Sequence, residues 1–375
     1  MFRDPKTKNG MTSILINFTI LFVAIQFLIA LINSVFRQKI CNSLNETFTS
    51  KVSILIPARN EEKNIEKIIT DLISQSYSNI EIIVCNDQSE DQTQILVEKL
   101  MKQDSRIKLI ESSNLESEWL GKNWACYQLS KVAKGDYFLF IDADVRIDAH
   151  LVGQTVSYLK KKKLGLLSIF PKQVMKSFGE YCTVPLMHYI LTTLLPLILV
   201  RLSKFTSLSA ANGQFMLFDA TIYQLNQPHL LMKSEKVEDI KIARNFKSKG
   251  IKVACITGIK EIRCRMYQNY QEGISGFSKN MVAFFGNSYI VAFLFWIFTT
   301  MSLIYIPIYG NSYRIILFFS LYLGTKILFS LTSKQNILIN LLLTIPQHFT
   351  MLIILIQSLI YKYSKTQQWK GRSIS

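Results

Sequence analysis

The sequence predicts an α/β protein, a doubly wound and mostly parallel sheet, carried between one N-terminal and two to three C-terminal transmembrane helices. Three observations lead there. Strand-like apolar runs alternate with helical runs between residues 51 and 141, the texture of successive βαβ units. The long uncharged stretches gather at the two ends of the chain. Polar motifs begin where predicted strands stop, which is the edge at which such sheets bind ligands.

The elements follow in order. Residues 1–11 form a tail carrying Arg3, Lys6 and Lys8, and residues 12–36 are uncharged and mostly apolar. As a helix that run crosses a hydrocarbon core of about 30 Å. It exceeds the ~7–15 apolar residues of a signal peptide, and no small-x-small cleavage site follows, so it reads as a retained anchor. Val52-Ser-Ile-Leu-Ile56 is a strand ending at Pro57. A helix follows with Ile65, Ile68, Ile69, Leu72 and Ile73 at helical spacing, Glu61 and Glu62 favouring its positive end. Residues 80–85 and 107–110 are further strands. Asp91-Gln-Thr-Gln94 opens a helix with a capping pattern. A helix over 123–133 leads into the strand Tyr137-Phe-Leu-Phe-Ile141.

Residues 181–200 are apolar enough to span, but one crossing there would put Asp144 and Asp239 on opposite faces of the bilayer. Pro185 and Pro196 also interrupt the run, so it reads as an interfacial helix flanked by Arg201 and Lys204. Within 289–361, the runs 289–309 and 314–331 are joined by Gly310-Asn-Ser-Tyr, and 336–361 is interrupted by Pro346-Gln-His348. This fits three spans, or two spans and a re-entrant pair of half-helices around Pro346. Residues 362–375 form a basic tail.

Composition narrows the function. Of 375 residues 49% are hydrophobic, with a mean hydropathy of +0.21, and the chain is long enough to bury a full core. The net charge of +17 first suggests nucleic acid. No zinc-finger spacing or aromatic RNA platform accompanies it, so nucleic acid is excluded as a partner. In a membrane protein a basic domain faces an anionic leaflet; the lysine run at 160–163 reads first as a solvated face. The six cysteines, Cys41, Cys85, Cys126, Cys182, Cys255 and Cys264, show no C-x-x-C. Cys85 and Cys255 fall in strands, as small core residues in a reducing compartment.

The chemistry centres on Asp142-Ala-Asp144. Two carboxylates two residues apart at a strand end project to one side, where they can hold a divalent cation and leave positions open for a diphosphate. A lone D-x-D at that place is more often a turn or cap. Asp87 and the Pro57–Glu62 loop, however, also start at strand ends, which argues for one shared site. Glu238-Asp239 lies in a charged stretch where a carboxylate can act as a base. A metal-diphosphate site with one base suggests group transfer from a nucleotide donor. Lys122 after Gly121 reads equally as a surface lysine or a phosphate contact. Arg263 and Arg265 read equally as interfacial anchors or as a clamp on the departing diphosphate.

Taken together these motifs resemble family 2 glycosyltransferases of the GT-A fold, over residues 50–285. Pro57-Ala58-Arg59-Asn60-Glu61-Glu62 looks like the first nucleotide-binding loop, and Asp87 like the acid that contacts the nucleoside. Asp142-Ala-Asp144 resembles the metal-binding D-x-D, which implies Mg²⁺ or Mn²⁺. Gly213-Gln214-Phe215 resembles the acceptor-side element, and Glu238-Asp239 the pair whose aspartate is the general base. Trp119-Leu-Gly-Lys122-Asn-Trp-Ala-Cys126, Arg265-Met-Tyr267 with Glu272-Gly273, and Trp369-Lys-Gly-Arg372 extend the resemblance. They are similar to membrane glycosyltransferases acting on carotenoid acids and to hopanoid- and ceramide-type enzymes. The Q-x-x-R-W motif of processive synthases is replaced by Ile262-Arg-Cys-Arg-Met-Tyr-Gln268.

The resemblance implies inverting, metal-dependent transfer of one sugar from a UDP-sugar, UDP-glucose or similar, to a membrane lipid or carotenoid-type acceptor. A processive polysaccharide synthase is the enzyme alternative. A lipid transporter or flippase with a nucleotide-binding domain is the other, for which Lys326 and His348 are the ionisable residues inside the spans. The implied location is the cell membrane, multi-pass, with the catalytic domain cytoplasmic.

Overall fold

The computed structural model describes residues 5–40 and 49–364, and beyond them the short strands Gln368–Trp369 and Arg372–Ser373. Arg3, Cys41, Lys370 and Gly371 lie outside the described residues. The region between the long terminal helices contains strands β1 Val52–Ala58, β2 Ile80–Asn86, β3 Ile107–Glu111, β4 Tyr137–Ile141 and β5 Val145–Ile147. It continues with β6 Leu166–Phe170, β7 Lys172–Gln173, β8 Phe215–Asp219, β9 Val253–Thr257 and β10 Ile262–Cys264.

Seven strands form one sheet in the order β3-β2-β1-β4-β8-β6-β9. All neighbours pair in parallel except β8, which runs antiparallel to both β4 and β6. β2 and β4 are buried at every residue and β1 at all but Pro57. That near-continuous burial, which takes in Ser53 and Glu81, reflects helices covering both faces. The helix Ile65–Ile73 buries Ile65, Ile68, Ile69 and Leu72, the expected stripe. The chain winds from β1 outward through β2 and β3 and returns to β4 on the other side of β1. The crevice at that reversal lies between the Pro57 loop and Asp142.

A second sheet, β5-β10-β7, starts one residue after Asp144. β10 pairs antiparallel with β5, setting Cys264 opposite Val145. The next helix begins at Thr93 and carries no capping box. Asp91 instead divides its carboxylate between the Thr93 amide at 3.0 Å and the Glu62 amide at 3.0 Å, so it ties two loops together.

Among the described residues, three helices are long and apolar enough to cross a membrane: Gly10–Val35, Ser312–Thr332 and Thr344–Ser364. The first belongs to a longer helix, Pro5–Val35. The run expected over 289–309 is divided into Tyr289–Thr300 and Ser302–Tyr309. The break expected around Pro346 falls instead at Leu343, between Ile337–Leu342 and Thr344–Ser364. Pro346 is the third residue of the latter helix, where the missing amide has no intrahelical partner to lose. The segment Tyr270–Phe285 meets Tyr289–Thr300 at a bend of 97°.

The stretch expected as one interfacial helix is three: Phe178–Thr183, Pro185–Leu194 and Leu197–Leu202. Pro185 opens the second and Pro196 precedes the third. Residues Leu186 to Thr193 are all buried, so the segment is apolar all round because protein covers it on every side. His188 faces Phe170 of the sheet and Tyr189 faces Phe329 of a spanning helix. Asn33, near the end of the first span, donates to the Thr192 and Leu195 carbonyls, both at 2.8 Å, and accepts from the Leu197 amide at 2.7 Å. Gly258, at φ +67°, lets the β9–β10 turn approach the Thr332 carbonyl so closely that a Cβ there would lie 1.8 Å from its oxygen. The sheet domain is therefore packed directly against the long apolar helices. Within them, Lys326 donates to Gln347 at 3.2 Å, and His348 bonds Tyr322 at 2.6 Å and Thr300 at 2.9 Å.

Candidate active site

A cavity of about 790 Å³ opens beyond the carboxyl ends of β1, β2 and β4. Its rim on one side is the loop 57–62, stitched to the loop after β2. Arg59 donates through Nη1 to the Asp87 and Gln88 carbonyls at 2.8 and 2.9 Å. Asn60, at φ +54°, accepts the Glu90 amide at 2.9 Å, and the Glu61 amide donates to Thr93 Oγ1 at 2.8 Å. Arg59 thus holds the two loops together. Pro57, Ala58, Arg59, Asn60, Glu61 and Asp87 all line the cavity.

Asp142 and Asp144 sit at the crevice floor. The Asp142 carboxylate is engaged by Lys122 Nζ, at 2.7 Å from one oxygen and 2.9 Å from the other. Asp144 is different, because its Oδ1 is buried without a hydrogen-bond partner. Burial first, then the Asp142 and Glu61 charges, push the Asp144 carboxyl up to about 7. Among the described residues, no three His, Cys, Asp or Glu side chains gather as a metal cage. This donor set suits a cation that takes one carboxylate from the protein and the rest of its shell from phosphates.

Glu238 and Asp239 open the helix Glu238–Ser248, whose N-terminus favours negative charge. Asp239 accepts the Gly213 amide at 2.9 Å through Oδ2 and the Ile240 amide at 2.7 Å through Oδ1. Burial pushes the Asp239 carboxyl up, and those two amides oppose the shift. Burial also pushes Glu238 up to about 7, Lys122 partly offsetting it. Burial works against charge on Lys122 as well, yet the Asp142 and Glu238 carboxylates hold its ammonium above the ordinary value. Gly213 sits among these groups. A Cβ there would lie 3.2 Å from Lys122 Nζ, 3.3 Å from Glu238 Oε1 and 3.8 Å from Asp239 Oδ2. The β4–β8 pairing builds this convergence, with Ile141 opposite Phe215 and the Asp142 amide donating to the Gln214 carbonyl at 3.2 Å.

Residues 53–195, which carry the donor-side loops and both aspartates of the D-x-D, match the model described as Glycosyl transferase family 2. This stretch of the chain is similar to the family 2 glycosyltransferases. Its sequence is 28% identical over 236 residues to a 4,4'-diaponeurosporenoate glycosyltransferase of Staphylococcus haemolyticus, covering 62% of this chain and 61% of that protein. It is 26% identical over 260 residues to the Staphylococcus aureus enzyme of the same name, covering 67% of each. The chain therefore spans less than two thirds of the first relative's length. Among solved structures, a mannosyltransferase from Pyrobaculum calidifontis, in complex with GDP-Man and Mn²⁺, aligns over 96% of this chain and 100% of its own. Its TM-score is 0.54 at 15% identity, so the two share the GT-A fold.

Two residues expected in the site lie elsewhere. Phe215 is fully buried in β8, because both faces of that strand are covered. Arg263 projects outward from β10, whose burial alternates in-out-in, and pairs with Asp148 at 3.2 Å. Arg265, just beyond the strand, lines the cavity. Its guanidinium is held by Glu180, Nε to Oε1 at 2.7 Å and Nη2 to Oε2 at 3.3 Å. Burial works against the Glu180 charge, yet Arg265 and the Lys176 and Ser177 amides keep that carboxyl below its ordinary value. Gln214 lines the cavity and donates to Cys264 Sγ at 3.0 Å.

Sequence reasoning missed the apolar end of the cavity, formed by Phe170, Met187, Phe277 and Phe284. Phe277 and Phe284 belong to the segment that bends into Tyr289–Thr300. Their spacing of seven residues on one helical stripe was the available signal.

Proposed function

We propose that the protein transfers a single sugar from a nucleotide sugar, UDP-glucose or a similar UDP-sugar, to the hydroxyl or carboxyl of a membrane lipid or carotenoid-type acceptor. One observation carries this reading. Asp239, oriented by two backbone amides, stands in a cavity that has the donor loops at one side and an apolar wall beside the membrane helices at the other.

Asp144, with Asp142 beside it, would hold Mg²⁺ or Mn²⁺, which when bound offsets negative charge on the departing diphosphate. Loop 57–62 and Asp87 bind the nucleoside end. Lys122 fixes the Asp142 carboxylate and adds positive charge between the donor and the base. Asp239 removes the acceptor proton as the acceptor oxygen attacks the anomeric carbon and the nucleoside diphosphate leaves. A single displacement of this kind inverts the anomeric configuration and needs one base. Arg265, oriented by Glu180, faces the same cavity and supplies a cation to the leaving group or to an anionic acceptor. Similarity to 4,4'-diaponeurosporenoate glycosyltransferases, together with the apolar wall, supports a long-chain acceptor presented from the bilayer.

The test is transfer by the purified full chain in lipid nanodiscs, with radiolabelled UDP-sugars, divalent cation and a lipid or pigment extract. Label moving into the organic phase, with one sugar per acceptor by mass spectrometry, is the expected result. Label recovered as a long glycan, or no transfer with any UDP-sugar, contradicts the reading.

A further inference from the structure

The motif Trp119-Leu-Gly-Lys122-Asn-Trp-Ala-Cys126 is only partly used by the reaction above, since Lys122 alone meets the charged centre. We propose that Asn123 is the positioning residue for the base, anchoring the loop that delivers Glu238 and Asp239. The proposal rests on the reading of Asp239 as the base.

Asn123 is 1% exposed, on the first turn of the helix Gly121–Val132. Its Nδ2 donates to three backbone carbonyls of one loop: Met232 at 2.8 Å, Glu235 at 3.0 Å and Lys233 at 3.2 Å. The same helix start reinforces the attachment. The Leu120 amide donates to the Lys233 carbonyl at 2.9 Å, and Glu118 pairs with Lys233 Nζ at 2.7 Å. The loop closes on itself through the Glu235 amide and the Met232 carbonyl at 3.0 Å, and three residues after Glu235 the helix bearing Glu238 and Asp239 begins.

Carbonyls turned toward one buried point need a donor there, and an amide N–H₂ is the side-chain group that supplies two N–H bonds without charge. Alanine would take this donor from the Glu235 carbonyl and leave the Met232 and Lys233 carbonyls with only the Glu235 and Leu120 amides, and aspartate would set a carboxylate against all three. One residue earlier, Lys122 contacts Asp142 at 2.7 Å. Two successive residues of one helical turn therefore fix the donor-side carboxylate and the base loop relative to each other. Distance between the donor's anomeric carbon and the base is what a single-displacement transfer requires, and a 1 Å error there costs on the order of 10²-fold in rate.

The experiment is a double-mutant cycle in the full chain, with kcat and donor KM measured for Asn123→Ala, Asp239→Asn and the double variant. Asn123→Ala is expected to lower kcat by about 30–100-fold, leaving donor KM within about threefold. In the Asp239→Asn background the same change is expected to cost less than about threefold, because a residue that acts through the base has nothing left to position. Asn123→Ser, which keeps one donor in a smaller side chain, should fall between, and it carries the same comparison if the alanine variant does not purify folded. Equal losses in both backgrounds, or a loss confined to donor KM, overturn the assignment of Asn123. Wild-type turnover by Asp239→Asn alone marks failure of the base reading itself.

Discussion

Replacing Gly213 by alanine probes the charged centre with one methyl group. The backbone at Gly213 does not require glycine for its φ, so the change acts through space alone. The new Cβ would lie 3.2 Å from Lys122 Nζ and 3.3 Å from Glu238 Oε1, tighter than ordinary contact by a few tenths of an ångström. Lys122 cannot simply swing away, because both Asp142 oxygens hold it within 2.9 Å. The strain therefore passes to the Glu238–Asp239 pair, whose Asp239 accepts the Gly213 amide itself at 2.9 Å. A displacement of a few tenths of an ångström scales to roughly a tenfold loss of kcat, about 1.4 kcal/mol in the barrier. The expected signature is that loss with donor KM and thermal unfolding midpoint little changed, read from initial rates and a melting curve of the purified variant. Unaltered kcat would show that Lys122, Glu238 and Asp239 do not act as one cluster.

Metal dependence follows from the lone buried oxygen of Asp144: excess EDTA is expected to abolish transfer, and Asp144→Asn to weaken Mn²⁺ binding measured by electron paramagnetic resonance, whereas full turnover in EDTA contradicts the assignment. Burial raises Asp239 and brings Glu238 up to about 7, so at low pH the pair retains a proton and the base is blocked; kcat/KM is expected to rise from about pH 5.5 to 8, and a flat profile counts against it. For topology, residues 37–288 are expected to be cytoplasmic with the N-terminus outside, since nucleotide sugars are made in the cytoplasm. Single cysteines at Asn9 and at Ser373, probed on intact cells with an impermeant thiol reagent, should label at Asn9; protection there with labelling of the catalytic domain reverses the arrangement.

Much of the site could be read from the chain because strand ends are legible. Asp87, Asp142 and the 57–62 loop each follow an apolar run, and the parallel sheet delivers all three to one edge. What linear spacing could not supply was the partner of each charge. Lys122 meets Asp142 across 20 residues and Glu180 meets Arg265 across 85, and nothing local marks either pair. Of the two readings of Arg263, the diphosphate clamp fails on the alternation of β10: with Ile262 and Cys264 inward, Arg263 faces out. The stretch 181–200 was misplaced for a related reason. An apolar helix without a polar face looks the same whether lipid or protein surrounds it, and here the sheet and the spans cover it.

The central claim is that Asp239 is the base, and Asp239→Asn tests it most directly. The amide matches the carboxylate in shape and gives up only one of its two backbone amide bonds, so donor binding by the variant should match wild type in equilibrium measurements. Turnover should fall by about 10²–10⁴-fold, the usual contribution of a general base. Wild-type turnover with intact donor binding would contradict the account.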